Sequence, residues 1–290
     1  MFFEGGKLQK LFAIPKFDGM IYYPNCKINL GLYIESKRDD GYHNISTLMY
    51  PIPIQDILEL TKSKAEEKIT LQFSGKSIPG KPSDNLCVKA YNLLNNDFSL
   101  LNVQMHLHKI IPMGGGLGGG SSNGAFMLKA LNDLFDLNLS TNDLCNYATK
   151  LGSDCAFFIE NKPQFAEGRG EVLTPSNLNL SGYYILLVND GTHVSTIEAY
   201  QNCVPKEAPF NWKLIFDSAP ETWRNNLKND FEAGIFIKHR NLQRLKNELY
   251  ELGAVYASMS GSGATMYGIF NNEPKIPERW KGYYVNCVQL

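Results

Sequence analysis

The stretch Ile111-Pro112-Met113-Gly114-Gly115-Gly116-Leu117-Gly118-Gly119-Gly120-Ser121-Ser122 sets six glycines in seven positions between a strand pattern and a helix pattern. Glycine at that density leaves the backbone free to curl with its amides exposed. The positive end of a helix opening near Ser122 adds to them, and the chemistry such a loop serves is anion binding, above all of phosphates. The entropy lost in ordering so many glycines speaks against a mere connector. Gly114, Gly116 and Gly119 also satisfy the Gly-x-Gly-x-x-Gly spacing of dinucleotide-binding loops. Context excludes that reading. The preceding stretch Val103 to His108 alternates apolar and polar residues, and Asp133 and Asp136 fall within or just after the helix rather than at the end of a second parallel strand. No Gly-Lys-Ser/Thr follows the glycines, so a Walker A loop is excluded too. Phosphate charge then has to be met by magnesium and by side chains distant in sequence.

Around Lys27 the chain alternates: Ile28, Leu30, Leu32 and Ile34 share one face, while Lys27, Asn29, Gly31 and Tyr33 share the other. An ammonium and a carboxamide therefore point the same way. On spacing alone Lys27 also reads as a solvated lysine of a half-exposed strand. Asp154 follows the Gly152 helix stop, and its carboxylate suits a general base or, equally, a helix cap. His106 and His108 alternate with apolar residues and have no third ligand at metal spacing, so they are expected to be surface histidines, not a zinc site. The charged run Lys62 to Lys68 reads as a solvated face.

The elements that position these groups follow from period and punctuation. Residues 21–34 read as a strand, Arg38-Asp39-Asp40-Gly41 as a turn, and Ser46 to Tyr50 as a second extended stretch before Pro51 and Pro53. A short strand is predicted over 69–73, and a helix over 86–94 opened by Ser83-Asp84-Asn85. The strand 103–108 is expected to be antiparallel to its neighbours. Helical spacing runs from Ala125 through Leu128, Leu131 and Phe135; a second helix opens at Ser140 and stops at Gly152. After the polar piece 174–182, the run Tyr183 to Val188 restarts strand structure and marks a domain boundary. Leu242, Leu245, Leu249 and Leu252 share a helical face, and extended runs 254–259 and 264–270 flank a Gly261-Ser262-Gly263 turn.

The chain has 290 residues, about twice a typical domain, which favours two domains over one large core. Its 43% hydrophobic and 20% charged residues exclude disordered, collagen-like and disulfide-framework classes. With 28 basic and 29 acidic side chains, no sequence-wide field attracts nucleic acid. Six scattered cysteines without a Cys-x-x-Cys pair read as reduced thiols of a cytoplasmic protein. No run suits a spanning helix, so no membrane partner is expected. The first residues show no sustained period; they read as an extension over 1–20, with Met20 a candidate natural start.

Taken in order and spacing, Pro24-Asn25-Cys26-Lys27-Ile28-Asn29-Leu30, the glycine loop, Leu151-Gly152-Ser153-Asp154 and Met259-Ser260-Gly261-Ser262-Gly263 resemble the motif set of the GHMP small-molecule kinases. The resemblance covers roughly residues 21–270 and implies an α+β, two-domain architecture. A ribosomal-protein-like N-terminal domain over 21–178 would bind ATP, and a ferredoxin-like C-terminal domain over 179–290 would carry the substrate side. Asp40-Gly41-Tyr42-His43, the context Asp154-Cys155-Ala156-Phe157-Phe158 and Glu167-Gly168-Arg169-Gly170-Glu171 resemble the members that phosphorylate a cytidine diphosphate-linked polyol in non-mevalonate isoprenoid synthesis. Departures are mild: Asn25-Cys26 stand where small residues are usual, and Gly124 replaces a usual alanine at a helix-propensity cost of about 1 kcal/mol.

The resemblance implies that Asp154 is the catalytic base and Lys27 its partner, with Asn29 orienting the substrate. It places Tyr42 and Tyr200 on the two faces of the cytosine ring, where planar stacking suits a pyrimidine, and His43 on the ring edge. Thr196, Ser260 and Gly261 complete the substrate side. For ATP it implies Asn85 and Lys109 near the adenine, and Pro112, Met113, Gly114, Gly115, Gly116, Leu117, Gly118, Gly119, Gly120, Ser121 and Ser122 around the phosphates. Mg2+ is expected with ATP; no ligand is assigned, Ser122 being a candidate through its hydroxyl. The expected partners are small molecules, in a monomer or homodimer. A mevalonate- or homoserine-type kinase, or a nucleic-acid-binding module on the same fold, are the rival readings.

Overall fold

The computed structural model describes residues 19–290 apart from 202 and 210, so the expected extension lies outside the described residues except at Gly19 and Met20. Both belong to β1 (Gly19–Tyr22), which Pro24 separates from β2 (Asn25–Lys37); the single predicted strand over 21–34 is two. β3 (His43–Gln55) runs on through Pro51 and Pro53 instead of stopping before them. The prolines are tolerated because β7 (Gln164–Glu167) pairs with β3 only at Thr47 to Met49, leaving the later residues on a free edge. β4 (Ile57–Lys62) and β5 (Ile69–Gly75) follow.

A short 3-10 turn, Pro82–Asp84, precedes α1 (Leu86–Phe98), whose N-cap is Asn85: its side chain accepts the Cys87 amide at 2.8 Å. β6 (Val103–Lys109) pairs antiparallel with β4 but parallel with β5. The expectation of antiparallel neighbours fails on one side because α1 is a crossover, which returns the chain in the same direction. α2 (Gly119–Leu134) opens three residues before Ser122, taking Gly119 and Gly120 into its first turn. Ser140 and Asp143 form a reciprocal capping box at the start of α3 (Thr141–Leu151). α4 (Phe157–Glu160), β7 and β8 (Val172–Pro175) close the N-terminal half.

The C-terminal half comprises β9 (Tyr184–Asn189), α5 (Thr196–Gln201), two 3-10 stretches within 212–225, α6 (Phe231–Lys238), α7 (Arg240–Glu251), β10 (Tyr256–Met259), β11 (Met266–Phe270) and β12 (Tyr284–Gln289). Three four-stranded sheets result, in the orders β1-β4-β6-β5, β2-β3-β7-β8 and β10-β11-β9-β12. The first carries α1 and α2 on its apolar face, with Leu58, Leu60, Val103, Met105 and Leu107 turned inward. α7 lays Leu242, Leu245 and Leu249 on the third.

β2 joins the halves. Its polar face is not a water face: Lys27 and Asn29 are 3% exposed, because the C-terminal half and the glycine loop cover them. The Leu32 amide donates to the Lys228 carbonyl at 2.8 Å, the Asp230 amide donates to the Leu32 carbonyl at 2.9 Å, and the Tyr267 hydroxyl donates to the Asn29 carbonyl at 2.9 Å. His106 and His108 lie on the outer face of the first sheet, both within 2.9 Å of the Ser74 hydroxyl. Among the described residues no group of three or more His, Cys, Asp or Glu side chains is placed to hold a metal, and no helix is long and apolar enough to cross a membrane.

Candidate active site

β2, the loop before α2 and the turn after α3 converge on a cleft of about 1150 Å³. The Lys27 amide donates to the Leu117 carbonyl at 3.0 Å, which ties the glycine loop to the strand that carries the lysine. The Lys27 Nζ lies 3.3 Å from the Asp154 Oδ2 and also donates to the Asn29 Oδ1. Asn29 is fixed in turn, its Nδ2 donating to the Thr47 hydroxyl at 3.1 Å. The pair is asymmetric: the lysine side chain is 4% exposed and the aspartate 31%, so the carboxylate faces the cleft while the ammonium backs it. That is the arrangement a proton acceptor needs.

The loop conformation depends on glycine at two close approaches. Gly116 has φ +76°, and a Cβ there would run into the Ser260 carbonyl oxygen; Gly118 has φ +67°, and a Cβ there would stand 2.9 Å from the Phe158 ring and 3.1 Å from the Lys27 Cγ. The Ser260 hydroxyl donates to the Gly116 carbonyl at 2.9 Å and accepts the Asn29 amide at 3.3 Å. The Thr265 amide donates to the Gly115 carbonyl at 3.2 Å. With its carbonyls held from behind, the loop leads into the amides of α2's first turn at the cleft wall.

Of the residues assigned from sequence, Lys27, Asn29, Tyr42, His43, Pro112, Gly114 to Ser121, Asp154, Thr196, Tyr200 and Gly261 line this one cleft. Asn85, Lys109, Met113, Ser122 and Ser260 are not on its wall. The Asn85 carboxamide is engaged as the α1 cap. Lys109 is 1% exposed and faces the Asp56 carboxylate and the Asn123 Oδ1, the latter at 3.0 Å. Burial pulls its ammonium below the usual lysine range against the attraction of Asp56. Asp56, itself fully buried, also accepts the Ile110 and Ile111 amides at 2.7 and 2.9 Å and the Asn123 Nδ2 at 2.8 Å. The triad thus fastens the entry of the glycine loop to the second turn of α2. Ser122 is fully buried, and its hydroxyl finds no protein partner.

On the other side the His43 imidazole stacks on the Tyr200 ring, centroids 4.6 Å apart and planes 18° apart. Tyr200 in turn sets its edge against Phe231. Burial, with the Asp154 charge nearby, pushes the Tyr200 phenol up to about 12, so it stays a neutral platform. Tyr42 is 58% exposed at the rim, under the Arg169 guanidinium. Arg169, Lys37, Ser153, His193 and Val194 line the cleft without having been given roles from sequence. Arg169 stood inside a quoted motif; Asp56 carried no signal, since its partners lie 53 to 67 positions away.

The chain belongs to the GHMP kinases, small-molecule kinases with this two-part α+β fold. Residues 85–162 match the family's N-terminal domain and residues 210–286 its C-terminal domain. The chain is 49% identical, over 271 residues, to the 4-diphosphocytidyl-2-C-methyl-D-erythritol kinase of Bacteroides thetaiotaomicron, covering 93% of this chain and 99% of that one. It is 47% identical to the kinase of the same name from Cytophaga hutchinsonii, with the same two coverages. A crystal structure of a 4-(cytidine 5'-diphospho)-2C-methyl-D-erythritol kinase superposes with a TM-score of 0.75 at 29% identity, over 86% of this chain and 90% of that one. A mevalonate kinase bound to R-mevalonate, from L. major, shares the fold, with a TM-score of 0.64 at 14% identity over 94% of this chain and 97% of that one.

Proposed function

We propose that the chain transfers the γ-phosphoryl group of ATP to the 2-hydroxyl of 4-diphosphocytidyl-2-C-methyl-D-erythritol, a step of non-mevalonate isoprenoid synthesis in the cytoplasm. The observation that carries the reading is the Lys27–Asp154 pair, opening at 3.3 Å onto the glycine-walled cleft. Named relatives sharing nearly half their residues over almost their whole length support the acceptor.

Asp154 accepts the proton as the acceptor oxygen bonds to the γ-phosphorus and the bond to the β,γ-bridging oxygen breaks, leaving ADP. Lys27 holds the carboxylate in place and meets negative charge growing on the transferred oxygens. The amides of Gly114 to Ser121 and the α2 N-terminus bind the phosphates. Lys109, from beneath, positions that loop through Asp56 and Asn123. Mg2+ would neutralise phosphate charge when bound; the Ser122 hydroxyl, buried and without a protein partner, does not line the cleft and is not assigned to hold it. Tyr42, Tyr200 and His43 receive the cytosine, while Asn29, Thr196 and Gly261 border the polyol, Ser260 acting from behind through the Gly116 carbonyl.

Comparative turnover tests the assignment. The cytidyl substrate is expected to be phosphorylated in strong preference to mevalonate and homoserine. Robust turnover of either competitor with none of the cytidyl substrate overturns it, as does steeply salt-dependent RNA binding without phosphoryl transfer.

A further inference from the structure

A cytidyl acceptor has three parts: a base, a diphosphate and a polyol that ends at the reacting hydroxyl. The residues above provide for the first and the last. Between the Tyr42 rim and the Asp154 carboxylate stands one turn, Glu167-Gly168-Arg169-Gly170-Glu171. Arg169 reaches back over Tyr42, its guanidinium 5.0 Å from the ring centroid. The next residue, Gly170, lies so near the base that a Cβ on it would be 3.7 Å from the Asp154 Oδ1. A ligand stacked on Tyr42 and reacting at Asp154 must therefore pass Arg169 with its middle part.

We propose that Arg169 is a specificity-determining residue that binds the diphosphate of the acceptor, an inference that rests on the cytidyl reading of the site. The turn prepares the side chain for this. The Arg169 amide donates to the Glu171 Oε2 at 2.6 Å, and Glu171 Oε1 stands 3.7 Å from the Arg169 Nε. Glu171 thus holds the Nε edge. This is the one ion pair of Arg169 among the described residues, and the residue lines the cleft, with the Asp40 carboxylate near enough to feel its charge. A planar guanidinium matches a phosphate better than a point charge does. Lys37 lines the same cleft and adds a second positive charge. The ring stacking gives Arg169 a second job, holding Tyr42 flat, which the test must separate from phosphate binding.

Calorimetric titration with cytidine, CMP and CDP, the ATP side being saturated with a non-hydrolysable analogue, makes that separation for the unaltered protein, Arg169→Gln and Arg169→Lys. Arg169→Gln is expected to weaken CDP about tenfold or more while leaving cytidine within about twofold. Arg169→Lys should recover only part of the CDP affinity, the charge without the planar fork. KM for the cytidyl acceptor should rise in parallel, with KM for ATP unchanged. Equal losses for cytidine and CDP would show that Arg169 only props Tyr42, and unchanged CDP affinity would show no phosphate contact; either overturns the proposal. Failure of the cytidyl reading itself shows first in the unaltered protein, as no binding of cytidine or CDP and no turnover of the acceptor, and removes the proposal with it.

Discussion

As the proposed base, Asp154 needs an oxygen both basic and reachable, and those demands fall on two residues. Lys27 is buried and fixed by Asn29, whereas the aspartate side chain keeps 31% of its surface open. Asp154→Asn keeps the shape and removes the acceptor, so kcat should fall about 10²- to 10⁴-fold. Lys27→Met should cost about as much through lost charge stabilisation. Because Asp154 is partly open to water, Lys27→Met strands no buried charge and Tm should stay within about 2 °C, whereas Asp154→Asn leaves the buried Lys27 ammonium without its counter-charge and should lower Tm by several degrees. Near-normal turnover in either variant, measured at saturating ATP, would remove that residue from its role. A second prediction concerns His43. Burial and the Lys37 charge both hold its imidazole below the ordinary value of 6.5. Removing a positive neighbour favours the protonated ring, so Lys37→Gln should move the His43 titration upward, as followed by NMR of its ring protons. An unmoved titration would mean that burial alone sets it.

The glycine loop shows how an element can be rigid because of its glycines. At Gly116 and Gly118 the backbone is left-handed and packed against Ser260 and Phe158, while Gly120 is helical and meets only the flexible end of Met113 at 3.4 Å. Gly116→Ala should therefore lower kcat/KM for ATP by about 10²-fold or more, since loop misplacement acts on every phosphate contact at once. Gly120→Ala should stay within about threefold. Equal losses at both positions would mean that the loop needs chain freedom rather than close approach. Gly124 corrects an expectation drawn from helix propensity alone. A Cβ there would meet Leu86 at 2.9 Å, because α1 crosses α2 at that point. Overpacking of about 1–3 kcal/mol outweighs the gain of about 1 kcal/mol, so Gly124→Ala should lower Tm by a few degrees in calorimetry; a higher Tm would show that α1 yields freely. These cases mark what was legible in sequence. Local signals were: the Ser140 cap, the Asn85 start, the glycine loop and the shared face of Lys27 and Asn29 all reappear. Features made by distant partners were not. The parallel β5–β6 pair, the Asp56–Lys109–Asn123 triad and the burial of the polar face of β2 depend on residues that come together only in the fold.

Across the whole molecule, the N- and C-terminal halves share two apolar cores in which β2 and β3 pack with β9, β10 and β11, and among the polar groups at that seam Asn229 is central. It is 4% exposed; its Nδ2 donates to the Met259 and Gly261 carbonyls, each at 2.8 Å, and its Oδ1 accepts the Phe231 amide at 3.0 Å. One side chain thus ties the Ser260–Gly263 turn to the start of α6. Its neighbours Lys228 and Asp230 make the backbone bonds to Leu32 of β2, the strand that carries Lys27. Asn229→Ala would leave the Gly261 carbonyl and the Phe231 amide without the partner they have here, and the Met259 carbonyl with only the Ser258 hydroxyl at 3.5 Å, at about 1–3 kcal/mol for each group that water cannot reach. Tm should drop by several degrees. The lysine-aspartate pair lies wholly on β2 and the turn after α3, so chemistry at saturation should suffer less than binding. KM for the acceptor should rise by about tenfold or more with kcat within about threefold. Hydrogen exchange reads the cause directly: the amides of Gly261 to Gly263 should lose protection in the variant while those of β2 keep theirs. If the turn exchanges as slowly as before and KM is unmoved, Gly116 and Thr265 hold it without Asn229, and the two halves are joined through the glycine loop instead.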